Sequence, residues 1–280
     1  MSPRLAFLLL LCLFHFVSAS AAEPRWEHHP EWSKEFTDRS VVGTSLIYDE
    51  QADRYLVFDR YRAETPFLPA STFKIFNALV GLETGAVRDE YELFKWDGKK
   101  RWVQEWNRDN SLASGMKYST VWFYQELARR IGASRMQMWI DKASYGNRDP
   151  GGGIDQFWLT GKLRISAAQQ IDFLRRLAIG SLPFSARSQE TVRRITIVES
   201  APGYIIHAKT GWGVHAAADG KADLGWHVGW VERDGRRWFF AINMDLPGDD
   251  SVERTKREAP KRIEVTCALL VRIGALPKPA

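Results

Sequence analysis

The order of strand-like and helix-like segments along the 280 residues predicts an α+β protein with one sheet built from both ends of the chain. Residues 119–177 have the apolar spacing of helices, interrupted at 145–153. We therefore expect a single domain over residues 23–280, with a discontinuous α/β part and a helical part at about 90–200. The strand-like stretches, rich in β-branched and aromatic residues, lie on both sides of that block, at 41–48, 55–58, 204–209, 224–231 and 238–244.

The first 22 residues differ from the rest of the chain. Arg4 precedes an apolar run over residues 5–17, and small residues follow at 18–22. This pattern predicts a secretory signal peptide cleaved after Ala21 or Ala22. The alternative, an N-terminal membrane anchor, is less consistent with so short a run, and no later segment approaches the ~20 apolar residues of a membrane span. We expect an exported protein with no stable membrane anchor.

Composition and charge exclude several function classes. The formal net charge is +5, one less without Arg4, and the one dense basic stretch is 254–262, so there is no electrostatic case for nucleic acid. Cys12 lies in the leader, which leaves Cys267 alone and no intramolecular disulfide in the mature chain. No metal is expected, because the remaining histidines lack ligand spacing; these are His28, His29, His207, His215 and His227.

Residues 68–82 are mostly apolar and predict a helix entered through Pro69 and ended near Gly85. Ser71 then lies in the first turn, where free N–H groups and the positive end of the helix dipole gather. Lys74 follows three residues later on the same face. A hydroxyl beside an amine at a helix N-terminus suits acyl transfer, because the amine, or something made from it, can take the proton while an N–H holds the oxyanion.

The S-x-x-K spacing alone is a weak signal, because Ser114 and Lys117 repeat it and a helix cap beside a solvated lysine would look the same. The residues around each copy distinguish them. Lys74 stands among apolar residues, where a lysine is costly unless it is paired or neutral. The second copy contains Gly115 and follows polar residues, which predicts a loop. The first copy is therefore the candidate catalytic pair.

Three further motifs strengthen this hypothesis. Lys209-Thr210-Gly211 ends a strand and offers a positive charge, a hydroxyl for a carboxylate, and a glycine that allows close backbone approach. Its alternative is a plain strand-to-turn junction. Ser119-Thr120-Val121 opens a helix and could be only an N-cap. Tyr145-Gly146-Asn147 could be only a turn.

Taken in order, S-x-x-K, S-x-V, Y-G-N and K-T-G resemble the motif set of the class D serine β-lactamases, the oxacillinases. Class A enzymes and penicillin-binding proteins carry an S-D-N middle motif, whereas this chain has Val121 at the third position. The resemblance runs from about residue 42 to the C-terminus. It implies the serine β-lactamase/penicillin-binding-protein fold: an antiparallel sheet flanked by helices, a mostly helical subdomain, and a cleft between them. Further matches are residues 116–118, 157–159 and 243–245.

The resemblance also implies catalytic roles. Ser71 would attack the β-lactam carbonyl to give an acyl-enzyme, and Lys74, carbamylated by carbon dioxide or bicarbonate, would act as general base. No other cofactor is implied. Trp158 would hydrogen-bond to the carbamate. Ser119 would pass a proton to the leaving nitrogen, and Lys209 would orient the substrate and tune that step.

Substrate contacts follow in the same way. The N–H groups of Ser71 and Trp212 would form the oxyanion hole, and Val121 would be part of the apolar wall around the carbamate. Arg254, Lys256 and Arg257 all fall where the family binds the substrate carboxylate, and Arg257 is favoured. The implied substrate-binding residues are Val121, Tyr145, Asn147, Thr210, Gly211, Trp212 and Arg257.

The leading functional hypothesis is a hydrolase that opens β-lactam rings and confers antibiotic resistance. Two alternatives remain open: a penicillin-sensing domain that keeps its acyl group, and a peptidase acting on D-Ala-D-Ala. The resemblance also implies a secreted, periplasmic bacterial protein. The expected partner is a small-molecule β-lactam, with the protein a monomer or homodimer. Whether oxacillin, cephalosporins or carbapenems are preferred is left open.

Overall fold

The computed structural model describes residues 25–217, 220–247 and 252–278. The expected signal peptide, residues 1–22, lies outside the described residues. Within these three ranges, no helix has the length and apolar character needed to cross a bilayer.

The described residues form a seven-stranded sheet in the order β1-β3-β2-β7-β6-β5-β4. Neighbouring strands are antiparallel except for β1 and β3, which run parallel. The sheet therefore joins strands from both ends of the chain, as expected from the sequence. The strands are β1 (Arg25–His28), β2 (Val42–Asp49), β3 (Arg54–Phe58), β4 (Ile197–Ala201), β5 (Tyr204–Gly213), β6 (Asp223–Arg233) and β7 (Arg236–Leu246).

Most of the helices lie between β3 and β4, and the others lie near the two ends of the chain. Short 3₁₀ turns add Pro30–Trp32, Ala70–Phe73 and Gln104–Trp106. The α-helices are α1 (Ser33–Thr37), α2 (Arg60–Glu64), α3 (Lys74–Glu83), α4 (Leu112–Lys117), α5 (Val121–Ile131), α6 (Ala133–Ala143), α7 (Ala167–Ala178), α8 (Ala186–Ile195), α9 (Val252–Glu258) and α10 (Lys261–Arg272).

Both faces of the sheet are buried. Successive side chains of a strand point to opposite faces, so Phe239 and Ala241 of β7 pack in the larger core with α3, α5 and α7. Phe240 and Ile242 pack in the smaller core, against α10. Apolar area removed from water contributes about 25 cal/mol per Å², so a sheet covered on both faces is a stable platform for a site. The strand-like stretches of the sequence have the continuous apolar character that this burial requires.

The structure differs from the sequence expectations at several elements. Residues 114–117, expected as a loop, belong to α4, which Ser111 caps through a hydrogen bond from the Ser114 N–H, so the capping outweighs the cost of Gly115. The C-terminal helical segment is two helices rather than one, because Pro260 separates α9 from α10. The edge strands β1 and β4 were missed, since a short edge strand need not be apolar. The helical character expected over 119–177 is confirmed by α5, α6 and α7, and the side chain of Ser166 caps α7.

Candidate active site

Ser71 lies in the 3₁₀ turn Ala70–Phe73, which leads directly into α3. Ala70 has a φ of 48°, a left-handed conformation that L residues rarely adopt, and its N–H donates to the Trp158 carbonyl at 3.0 Å. Thr72 donates its hydroxyl to the Pro69 carbonyl at 2.7 Å. The backbone before the nucleophile candidate is therefore held from both sides, and the Ser71 N–H is one of the first-turn groups that have no intrahelical acceptor.

Lys74 is completely buried, and its Nζ donates to Ser71 Oγ at 2.6 Å. Burial without an acidic partner lowers the pKa of Lys74 to about 7. The aromatic face of Tyr124 lies 5.6 Å from the ammonium. A substantial fraction of this amine is therefore neutral near pH 7, in contact with the hydroxyl that it would deprotonate.

Trp158 packs against the same turn and is also fully buried. Its ring stacks on Phe73 at a centroid distance of 5.2 Å. Its indole N–H has no hydrogen-bond partner among the described residues, although an indole N–H normally finds one when it is buried. An unpaired donor beside the Lys74 turn fits an anionic group added to that lysine, so the residues present are compatible with a carbamate.

Ser119 and Lys209 form a second hydroxyl–amine pair. Lys209 Nζ donates to Ser119 Oγ at 3.0 Å and to the Thr210 carbonyl at 2.9 Å. Burial lowers the pKa of Lys209 well below its usual value, and the positive charges of Lys74 and Arg262 lower it further. Ser119 has a φ of 55°, so the turn before α5 presents its hydroxyl from a strained backbone. Thr120, rather than Ser119, is the N-cap residue of α5.

Strand β5 reaches the Ser71 turn because Gly211 has no side chain. A Cβ at this position would lie 3.0 Å from the Trp226 Cβ and 3.2 Å from both the Pro69 carbonyl oxygen and the Thr72 Cγ2. Such contacts are tighter than ordinary van der Waals packing, so the glycine permits the close approach predicted for this motif.

The Ser71 and Ser119 hydroxyls open into a cleft of about 630 Å³. One wall comes from β5, β6 and the α9–α10 region, and it holds Thr210, Trp212, Asp223 and Arg262. The other wall comes from the helical part of the chain. Its residues are mostly apolar or aromatic, namely Trp102, Val103, Trp106, Tyr118, Val121 and Leu159, and the polar Gln156 and Thr160 complete it. The structure thus brings Ser71, Ser119, Val121, Thr210, Gly211 and Trp212 into one cleft, with Lys74, Trp158 and Lys209 behind it.

Arg257 does not line this cleft, which corrects the expectation for the carboxylate-binding residue. Its side chain is 64% exposed and bonds to Glu258 at 3.1 Å. Arg262 lines the cleft instead, with its guanidinium 5.4 Å from the Trp212 ring. Burial lowers the pKa of Arg262 to about 10, and its Nε and Nη1 have no hydrogen-bond partner among the described residues. The side chain of Arg254 lies outside the described residues, and Lys256 is exposed.

Tyr145 and Asn147 do not line the cleft either, so their expected contact with substrate is not what the structure shows. Tyr145 is buried among rings, with Phe76 at 4.6 Å and Phe173 at 5.0 Å. Asn147 is exposed; it donates to the Lys162 carbonyl at 2.9 Å and accepts from the Arg164 N–H at 2.9 Å. Asn147 of the Y-G-N motif therefore joins the two ends of the segment 147–164, which carries Trp158.

Sequence reasoning missed Arg262 and the aromatic wall. One feature of the sequence could have indicated Arg262. It lies three residues before the apolar Val265 of α10, and this spacing places both side chains on the buried, sheet-facing side of the helix. Trp102 and Trp106 carried no signal beyond their residue type, since they lie in a polar segment without periodicity.

Comparison with known proteins agrees with this geometry. The family model described as the penicillin binding protein transpeptidase domain matches residues 40–263. Beta-lactamase OXA-48 of Klebsiella pneumoniae is 42% identical over 248 residues, which cover 89% of this chain and 92% of that protein. Beta-lactamase OXA-2 of Salmonella typhimurium is 41% identical over 275 residues, or 97% of this chain and 94% of that protein.

Solved structures give the same result. The class D β-lactamase YbXI from Nostoc matches with a TM-score of 0.80 and 41% identity, covering 88% of this chain and 99% of that one. FUS-1 (OXA-85), a class D β-lactamase from Fusobacterium nucleatum subsp. polymorphum, matches with a TM-score of 0.82 and 37% identity, covering 89% of this chain and 100% of that one.

Proposed function

The chain belongs to the class D β-lactamases, and we propose that it hydrolyses β-lactams through an acyl-enzyme on Ser71, with Lys74 as the site of the general base. The contact that carries the proposal is the 2.6 Å hydrogen bond between the Lys74 amine and the Ser71 hydroxyl. Because the pKa of this buried lysine falls to about 7, the amine is available near neutral pH. The proposed outcome in the cell is resistance to β-lactam antibiotics.

In the first step, the Ser71 oxygen attacks the lactam carbonyl as its proton leaves toward Lys74. The negative charge on the carbonyl oxygen is received by N–H groups, for which the first-turn Ser71 N–H and the Trp212 N–H of β5 are the candidates. The low dielectric of this buried corner strengthens such hydrogen bonds relative to water.

Opening the ring requires a proton on the departing nitrogen. Ser119 can supply it, because its hydroxyl lies 3.0 Å from the Lys209 ammonium, which can replace the lost proton. The lowered pKa of Lys209 makes that transfer less costly than from an ordinary lysine. Ser119 is thus the proposed general acid, and Lys209 is its proton source.

Hydrolysis of the ester requires a base for water. A carbamate on the Lys74 amine, formed from carbon dioxide, would supply that base as a carboxylate-like oxygen pair. The Trp158 N–H, buried and unpaired in the described part of the chain, would donate to it, and the neutral fraction of Lys74 provides the amine that carbamylation needs. No metal or organic cofactor is required.

Arg262 is the proposed anchor for the substrate carboxylate. Its buried guanidinium has Nε and Nη1 donors without a partner in the part of the chain that the structure describes, and such donors favour an anion strongly, because the desolvation of the guanidinium is then compensated. Thr210 lines the cleft on the same wall and can share the contact.

The experiment that tests the proposal is turnover of a chromogenic cephalosporin by purified protein, with and without added bicarbonate. We expect sustained turnover that falls when bicarbonate is removed and recovers when it is returned. Ser71→Ala should abolish both turnover and the acyl adduct detected by mass spectrometry, while Lys74→Ala should lose turnover with slow loss of any adduct. A single stoichiometric burst by the wild type, with a stable adduct on Ser71, would show a penicillin sensor rather than a hydrolase. Release of D-Ala from a D-Ala-D-Ala peptide without β-lactam turnover would show a peptidase.

We also propose that residues 1–22 direct export to the periplasm and are removed. N-terminal sequencing of protein from the periplasmic fraction should begin near Ala22 or Glu23, and an intact Met1 there would contradict this. The monomer and homodimer remain the two expected states, which light scattering distinguishes.

A further inference from the structure

Asp223 is a buried carboxylate in the wall of the catalytic cleft, and the proposed reaction gives it no role. It is only 5% exposed and lies on the same wall as Thr210 and Arg262. A carboxylate is costly to bury, and here its charge also opposes the anions that the cleft is proposed to receive. Buried polar groups are normally satisfied by hydrogen bonds, so the partners of Asp223 indicate what it holds in place.

Both oxygens of Asp223 accept hydrogen bonds from the end of β5 and the residues just after it. Oδ2 accepts from the Trp212 indole N–H at 3.0 Å, and Oδ1 accepts from the His215 backbone N–H at 2.8 Å. His215 has a φ of 49°, a left-handed conformation that is costly for an L residue unless its surroundings fix it. One carboxylate therefore fixes a side chain and a strained piece of backbone three residues apart.

The register of the sheet explains why Asp223 reaches the Trp212 ring. Trp212 lies directly opposite Gly225 on β6, and a glycine has no side chain to pack against the indole. Asp223 lies two residues before Gly225 on the same strand, so it shares a face of the sheet with Trp212 and is its diagonal neighbour. The carboxylate thus supports the indole from β6 where the direct cross-strand neighbour does not.

The charges around the Trp212 ring match the charge distribution of an indole. The N–H edge is positive and meets the Asp223 carboxylate, whereas the π face is negative and lies 5.4 Å from the Arg262 guanidinium. An edge contact and a face contact together leave the ring little freedom to rotate. The backbone N–H of the same residue is a candidate for the oxyanion hole, so a fixed ring also limits the movement of that donor.

We propose that Asp223 is a positioning residue for the oxyanion hole: through Trp212 and His215 it holds the end of β5 so that the Trp212 N–H stays directed at the carbonyl oxygen of the substrate. The inference rests on the proposed β-lactam hydrolysis and deepens it. Asp223 touches no reacting atom. It acts on the rate because a donor stabilises the developing charge best when it is already in place.

The test measures kcat and KM for a chromogenic cephalosporin in the wild type, Asp223→Asn, Trp212→Phe and the double variant. Asp223→Asn keeps the shape of the side chain but replaces one acceptor oxygen with an NH2 group, so one of the two donors loses its partner. Loss of a whole oxyanion-hole donor costs about 100- to 1000-fold in kcat, so a displaced donor should cost about 10-fold. Trp212→Phe keeps a ring beside Arg262 but removes the indole N–H, and it should give a similar loss.

The division between kcat and KM distinguishes positioning from substrate binding. Acylation and deacylation both pass through a tetrahedral intermediate that uses the hole, so both steps should slow together and KM should change by no more than about twofold. Phenylboronic acid gives an independent readout, because its tetrahedral adduct with Ser71 places an oxygen in the hole and resembles the transition state. Its Ki should rise in parallel with the fall in kcat.

The double variant tests whether Asp223 acts through Trp212. If it does, the double variant should lose less kcat than the product of the two single losses, because the second substitution removes a contact that is already broken. Asp234→Asn is the matched control. Asp234 lies in the turn between β6 and β7, its side chain is 74% exposed, and its φ of 52° suits asparagine, so kcat and Ki should stay at wild-type values.

Wild-type kcat in Asp223→Asn, a rise in KM alone, or single losses that multiply in the double variant would overturn the proposal. If urea unfolding shows that Asp223→Asn does not fold, Trp212→Phe decides by itself, and an unchanged kcat and boronate Ki would then overturn it. Failure of the proposed function is distinguishable, because the wild type would then show no sustained turnover of the cephalosporin.

Discussion

Replacing Lys74 with methionine should stabilise the protein while removing its activity. Methionine has a similar length and no charge, and it suits a site that is completely buried. The lysine, by contrast, is buried with no acidic partner in the described ranges, and desolvation is the cause of its low pKa. For the general-base role proposed for Lys74, burial of this kind is expected to reduce stability in exchange for reactivity.

The size of the effect follows from the pKa. The pKa of Lys74 falls from 10.5 to about 7, which corresponds to a loss of about 4–5 kcal/mol in the free energy of unfolding at ~1.36 kcal/mol per pH unit. About 4 kcal/mol of this loss is present at pH 7. Methionine recovers this stability but loses the hydrogen bond to Ser71, which offsets about 1 kcal/mol of the gain. We therefore expect Lys74→Met to raise the free energy of unfolding by about 3 kcal/mol at pH 7, or the urea midpoint by about 1 M.

The pH dependence gives a sharper test. Between about pH 7 and 10.5 the unfolded chain holds the lysine proton that the folded chain has released, so wild-type stability rises with pH across this window. Methionine carries no proton, and the advantage of Lys74→Met should therefore be largest below pH 7 and vanish toward pH 10.5.

The assay is urea unfolding of both proteins at several pH values in buffer free of carbon dioxide. Lys117→Met serves as the control, because Lys117 is exposed and its replacement should leave the urea midpoint nearly unchanged. Added bicarbonate should stabilise the wild type and not Lys74→Met, since only the wild type has an amine to modify. A Lys74→Met variant no more stable than wild type, or an advantage that stays constant from pH 7 to 10, would refute the reasoning.

Three further predictions concern the cleft. Arg262→Ala should raise the KM for a carboxylate-bearing β-lactam by about 10- to 100-fold, because a charge-assisted contact is lost. Replacement of the exposed Arg257 by alanine should change KM by no more than about twofold. Steady-state kinetics measures both variants, and equal effects would contradict the assignment of Arg262 as the carboxylate anchor. Trp158→Phe keeps a ring on Phe73 but removes an N–H that has no partner among the residues the structure describes, so it should increase the bicarbonate concentration needed for half-maximal activity. An unchanged bicarbonate requirement would contradict the proposed role of Trp158. Gly211→Ala should lower the free energy of unfolding in urea by about 1–3 kcal/mol, because the added methyl overpacks the contact, and it should also lower kcat/KM. Wild-type values of both quantities would show that β5 approaches the Ser71 turn less closely than described.

Much of the site was predictable because its motifs are local. Ser71 and Lys74 are three residues apart on one turn, and Lys209 to Gly211 are consecutive on one strand, so local geometry alone places these groups near each other. The reaction class followed from those groups and from the family resemblance, and the β-lactamase relatives bear that class out.

The contributions of Tyr145 and Asn147 illustrate what a motif does not reveal. Both belong to a motif of the family, but one packs inside an aromatic cluster and the other joins two distant backbone segments. A motif shows that a residue matters to the fold or to the site. It does not by itself show whether the side chain of that residue contacts the ligand.

The sequence by itself determined the fold class, the strands of the sheet centre, and the pairing of Ser71 with Lys74, because apolar periodicity and short-range spacing are properties of neighbouring residues. The tertiary structure alone decided which arginine enters the cleft and which rings form its far wall. Arg262 and Trp102 lie far apart in the chain and on different parts of the fold, and no local pattern reports that the two walls face each other across one cavity. The way two walls face each other depends on how the sheet and the helical part pack together. That packing is set by the burial of many side chains at once, which outweighs the local preference of any single residue.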